Sequence, residues 1–216
     1  MDLNEVKGIF NQLNLKNQLT LDDIPEIDLY MDQVIQLFDG KFSESKRNEE
    51  DKALTKTMIN NYAKGKLLMS IKNKKYSKEH LILMSLIYNL KGGLSIADIK
   101  TSLDKIVGDL EDGEGYPIRG LYKLYLEQYK EDLSEVEKSI EEKVGSINNS
   151  ILKNKNLNDI GGNTEENSSY SMDIPEEDNK LDEFEKNFLL LSSLINMSNM
   201  YRRMGEKLID DYFSKI

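Results

Sequence analysis

Apolar residues recur along most of the chain at spacings of three and four, the period of amphipathic helices. Over 2–15, Val6, Ile9, Phe10 and Leu13 share one face. The same period returns in Leu29, Val34, Leu37 and Phe38, with Asp28 where an N-cap belongs and Gly40 where a helix would stop. Leu54, Met58, Ile59 and Tyr62 predict a short helix over 52–63, ended by Gly65. The next stretch, KLLMSIKNKKYS at 66–77, sets two short apolar pieces around a basic turn and predicts a small hairpin or an irregular loop. Ser77 opens a strongly apolar helix over 78–91, closed by Gly92-Gly93. Ser95 caps another, with Ile96, Ile99, Leu103, Ile106 and Leu110 inward. After a turn-rich connection at 111–120, Tyr122, Leu126, Tyr129, Leu133, Val136 and Ile140 follow a heptad spacing, suited to an internal core or to a dimer seam. Residues 145–180 are rich in Asn, Gly, Ser and acids and read as a flexible loop, and 181–214 as a long amphipathic helix. The expected fold class is all-α (mainly α).

Composition narrows the chemistry. The chain has 216 residues and no cysteine, which excludes disulfides, thiolate metal sites and cysteine nucleophiles and fits a reducing compartment. The start, MDLNEVKGIFNQ, lacks a signal-peptide pattern, and the longest apolar run, LILMSLIYNL, is about half of what a bilayer crossing needs. A cytoplasmic protein without a membrane partner is expected. There is no phosphate-cradling glycine loop, no metal-ligand spacing and no nucleophile paired with a base. The expectation is therefore a non-enzyme with no cofactor and no metal, in which His80, the single histidine, is structural or exposed rather than catalytic.

Charge changes the picture most. The net charge is −10, yet residues 52–78 hold eight lysines and no acid, leaving 21 basic against 39 acidic residues elsewhere. Such sign asymmetry points to a polyanionic partner more than net charge does.

Three stretches bear on its identity: TMINNYAKGKLL at 57–68, KKYSKEHLILMSLIYNLKGGLSIADIKTSL at 74–103, and DIPEIDLYMDQVIQLFD upstream. The first two, with their spacing, resemble the winged helix-turn-helix of MerR-type transcription regulators. In matching order stand Tyr62 at the end of the recognition helix, the Gly65–Leu68 turn, Lys74-Lys75-Tyr76-Ser77 at the wing, and Gly93-Leu94-Ser95-Ile96 before the next helix. The upstream segment is similar to a narrower group from low-GC Gram-positive bacteria, described as a domain of unknown function with MerR-like character. Asn60 replaces that family's recognition-helix arginine, Lys74 and Lys75 replace the arginines of its wing, and SESKRNEED lengthens the link between its first two helices.

The resemblance implies a DNA-binding domain over 20–110 and a helical dimerisation or sensing module over 120–216. It also implies double-stranded DNA as partner, a homodimer formed through a helix after the DNA-binding domain, and an effector of unknown kind. The residues themselves allow the same reading. Lys56, Thr57, Asn60 and Asn61 in helix 52–63 suit base edges in a major groove. Lys64, Lys66, Lys72, Lys74 and Lys75, with the wing at 66–76, suit phosphates, while Tyr62 and Tyr76 suit either a DNA contact or the core. An alternative stays open: a helical protein–protein interaction module on the same scaffold, without DNA binding, its lysines docked on acids such as those of 104–183.

Overall fold

The structure is a computed structural model that describes residues 3–48, 50–113, 115–160 and 183–215, without the side chains of 152–160 and 183. It is mainly α. The elements are α1 (Leu3–Gln12), β1 (Leu29–Tyr30), α2 (Met31–Phe42), α3 (Lys56–Lys64), β2 (Lys75–Tyr76), α4 (Lys78–Leu90), α5 (Ile96–Glu111), α6 (Ile118–Ile160) and α7 (Glu183–Asp211), with 3₁₀ turns at Ser43–Ser45 and Phe213–Lys215.

The chain forms two compact units. The larger comprises 13–133 and 200–216, the smaller 1–12 and 134–199. In the larger unit α4 is the hub. Leu81 through Ile87 are all buried, so this helix is covered on every side, as a helix apolar all round must be. Val34, Phe38 and Phe42 of α2, Ile59 and Tyr62 of α3, Ile99, Leu103 and Val107 of α5, and Ile118 and Tyr122 of α6 belong to the same core.

The hub carries one buried hydroxyl, Ser85, and the core answers it. Tyr122, fully buried, brings its phenol oxygen within 2.8 Å of Ser85 Oγ and donates to the Leu19 carbonyl. Burial pushes the Tyr122 phenol up to about 12. The start of α6 thereby closes the core of the larger unit, beyond the boundary expected near 110–120. In the smaller unit Val6, Val144 and Leu190 form a separate apolar cluster, and Lys7 pairs with Glu141 at 2.8 Å.

Three expectations are corrected. Gly40 does not end α2, which runs on to Phe42; a Cβ there would meet nothing within 4 Å, so the position tolerates glycine without requiring it. Asp28 is not the cap: Leu29 and Tyr30 form a strand, and the Gln33 side chain accepts the Tyr30 N–H at 2.9 Å. Residues 145–160, expected as loop, continue α6, with Val144 and Ile151 buried; the rest of that expected loop, 161–180, lies outside the described residues.

Tyr122→Phe is expected to lower unfolding stability by about 1–3 kcal/mol, because the Leu19 carbonyl loses its donor inside the core. The urea midpoint of the variant measures it.

Candidate nucleic-acid interface

Helix α3 begins at Lys56, four residues after the predicted start, because Thr55 is the cap. Its backbone is extended, and its Oγ1 accepts the Met58 N–H at 3.1 Å. Ala53 and Leu54, just ahead, are buried in the core rather than helical. At about 100° per residue, Lys56, Asn60, Lys64, Thr57 and Asn61 fall within an arc of about 140°, and all five are exposed. Ile59 and Tyr62 point the opposite way, into the core.

The C-terminus of α3 is a Schellman motif. The Lys66 N–H donates to the Ala63 carbonyl at 3.1 Å and the Leu67 N–H to that of Tyr62 at 3.0 Å. The left-handed residue of the motif is Lys66, at φ 58°, where glycine is the usual choice. Gly65 serves another need: a Cβ there would stand 2.8 Å from Leu67 Cδ1 and 3.1 Å from the Asn61 carbonyl. Leu67 and Leu68 then fold under the chain into the core.

A second tight turn follows. The Lys75 N–H donates to the Lys72 carbonyl at 2.9 Å, and both central residues are left-handed, Asn73 at 51° and Lys74 at 58°. This is a type I′ turn, with lysine at the position that favours glycine. The predicted hairpin is thus reduced to a turn, and its outgoing strand finds a partner elsewhere. In the register of β1 and β2, Leu29 lies opposite Tyr76 and Tyr30 opposite Lys75. Alternation puts Leu29 and Tyr76 into the core and Tyr30 and Lys75 outward, with Lys75 Nζ 5.1 Å from the centre of the Tyr30 ring.

His80 ties down both ends of this basic segment. Its Nδ1 accepts the Ser77 N–H at 3.2 Å, which leaves Nε2 as the donor to the Met69 carbonyl at 3.3 Å. The ring is buried against the edge of Tyr76, and burial holds it below the usual histidine range despite the opposing pull of the Met69 carbonyl, Glu79, Asp28 and Glu111. Glu111 of α5 accepts the Ser70 N–H at 2.6 Å, and that segment's hydrogen bonds and Lys72 hold its carboxyl below the usual range.

Of the eight lysines, six are exposed: Lys52, Lys56, Lys64, Lys66, Lys72 and Lys74. Lys75 is half-buried and Lys78 is buried. Lys78 belongs to the fold, donating to the Ile24 carbonyl at 3.0 Å and to Glu26 at 2.6 Å; Arg119 joins Glu26 to Glu79. Lys56 pairs with Asp32, in the first turn of α2, at 2.8 Å. Among the described residues Lys64, Lys66, Lys72 and Lys74 form no ion pair. Tyr62 and Tyr76, 4% and 3% exposed, are core residues and drop out of the contact set, since α3 and β2 need an apolar inward face to attach at all.

Residues 19–125 match a known family, described as Domain of unknown function (DUF1836). These residues are a DUF1836 domain. No curated protein and no solved structure matches the chain. The DUF1836 domain takes in the β1–β2 pairing, the exposed arc of α3, both left-handed lysines and, at its end, the Tyr122 contact that completes the core. It also contains two residues overlooked in the sequence, Tyr30 and Asp32. The signal for Tyr30, an outward position after an inward Leu29, was hidden because the strand is only two residues long, and nothing local pairs Asp32 with Lys56.

Because His80 is pushed below its unfolded value, the unfolded chain takes up a proton first as pH falls. The stability contributed by neutral His80 is therefore full above pH ~6.5 and declines below it, by up to about 1.4 kcal/mol per pH unit. His80→Gln keeps an acceptor for the Ser77 N–H. It is expected to flatten the fall in urea midpoint between about pH 7.5 and 5.5; an unchanged fall would show that His80 is not the group responsible.

Proposed function

We propose that the DUF1836 domain is a MerR-like winged helix-turn-helix that binds double-stranded DNA, and that the protein is a non-enzymatic, cytoplasmic transcription regulator. On this reading Lys56, Thr57, Asn60 and Asn61 of α3 face a major groove, the helix starting at 56 rather than 52. Lys64, Lys66, Lys72, Lys74 and Lys75 meet the phosphate backbone. The observation that carries the reading is the pair of left-handed lysines. Lys66 and Lys74 each occupy a conformation that costs a side-chain-bearing residue about 1 kcal/mol or more, at positions where glycine would relieve it. A charge kept against local preference is the kind of inconsistency expected of a functional surface. Two turns fix the intervening backbone, so it has little conformational freedom to lose on meeting phosphate.

The proposal includes a homodimer. Tyr122, Leu126 and Ile140 of the heptad pattern in α6 pack in cores of their own chain. Phe184, Phe188, Leu191 and Ile195 of α7 remain exposed at spacings of four, three and four, a pattern suited to pairing with a second copy.

The alternative, an interaction module whose basic face docks an acidic partner such as the protein's own acids, draws support from Glu111, which accepts the Ser70 N–H inside the basic segment and feels the charge of Lys72. The two readings separate experimentally. The double variant Lys66→Gly, Lys74→Gly is expected to be more stable than wild type by about 1 kcal/mol, the relief of two left-handed positions less the freedom that two glycines add to the unfolded chain. It should nonetheless bind DNA more weakly in an electrophoretic mobility shift with random-sequence duplex. Counting the four exposed, unpaired lysines Lys64, Lys66, Lys72 and Lys74, and not the half-buried Lys75 over the Tyr30 ring, a dimer has a log–log salt slope of about −7. Each contact removed should make the slope shallower by about 0.9. Equal DNA retention and an equal slope for both proteins would exclude the basic segment as a DNA contact.

A further inference from the structure

The geometry points to Tyr30 as a further DNA-contacting residue, its phenol donating to a backbone phosphate between the basic turn and α3. The inference rests on the DNA-binding reading of the same face. Tyr30 is 53% exposed, a large apolar surface for a residue on a strand otherwise committed to the core. Its hydroxyl has no hydrogen-bond partner among the described residues, whereas the hydroxyls of Tyr122 and Tyr129 each reach a backbone carbonyl of their own chain.

Its neighbours fix where the ring stands. On one side it is the register partner of Lys75, whose ammonium lies over the ring and whose preceding residue is the left-handed Lys74. On the other side it immediately precedes α2, and two residues on Asp32 holds Lys56, the first residue of α3. Tyr30 therefore occupies the junction of the two cationic elements that the proposal lays against DNA. Asp28 and Asp32 are the acids within two residues of Tyr30 along the chain, and both are exposed; Asp32 pairs with Lys56 at 2.8 Å. A neutral donor suits the junction. It can approach a phosphate without adding charge, and tyrosine is one of the side chains that contact phosphate oxygens while carrying no sequence information.

The test is fluorescence anisotropy of the full chain with a fluorescein-labelled random duplex of about 30 base pairs, titrated over salt from about 50 to 200 mM. Wild type, Tyr30→Phe and the Lys66→Gly, Lys74→Gly variant are compared, and thermal melts establish that each is folded. Tyr30→Phe keeps the ring beneath Lys75 and removes only the donor. It is expected to bind about tenfold more weakly with an unchanged salt slope, because a neutral group releases no counterion. Wild-type affinity in Tyr30→Phe, beside a shallower slope in the double-lysine variant, would overturn the Tyr30 assignment and leave the DNA reading standing. Weaker binding with a shallower slope would mean that Lys75 had been displaced, and would overturn it as well. Failure of wild type to bind the duplex would overturn both.

Discussion

The two-residue pairing of β1 with β2 is the constraint on which the basic surface depends. A ladder this short cannot hold itself together in water. It persists because Leu29 and Tyr76, opposite each other in register, are both buried in the core around α4. Once those side chains are inward, alternation leaves Tyr30 and Lys75 no direction but outward. The turn at Lys72–Lys75 is then carried to the start of α2, and through the Asp32–Lys56 pair to the start of α3. Two inward residues thus set the position of several outward charges.

The same division of labour runs through the whole basic segment. Between Lys52 and Lys78 the apolar residues Leu54, Ile59, Tyr62, Leu67, Leu68 and Tyr76 are all buried, which stitches the segment to the core on both sides of the Lys72–Lys75 turn. Lysines fill the positions between stitches. Where a stitch requires a sharp reversal, as after α3 or at the Lys72–Lys75 turn, lysine stands even in the left-handed position. Lys78 marks the limit of the pattern: it faces inward, and Ile24 and Glu26 satisfy it as a structural cation.

Much of this was legible in the sequence. The period of three and four located the helices of the larger unit that bury one stripe, and α4, buried on every face, showed instead as a long apolar run between Ser77 and Gly92-Gly93. The absence of acids from 52–78 marked the lysine-rich stretch, and Ser95 marked a true cap. Illegible were features that depend on distant partners. Nothing local pairs Leu29-Tyr30 with Lys75-Tyr76 across more than forty residues. Gly65 ends α3 as expected, but the positive φ that falls on Lys66 and the close approach of Leu67 to the glycine had no local signal. The polar composition of 145–160 masked a helix that is held by Val144 and Ile151.

The central claim is that the unpaired lysines of α3 and its two turns form the surface that meets DNA. Lysine acetylation read by mass spectrometry, with and without saturating duplex, tests it most directly. Lys64, Lys66, Lys72 and Lys74 are expected to lose reactivity together when duplex is present, while Lys105 of α5 and Lys138 of α6, exposed and paired with their own helices' acids, do not change. Protection spread evenly over the chain, or confined to lysines outside 52–75, would contradict it.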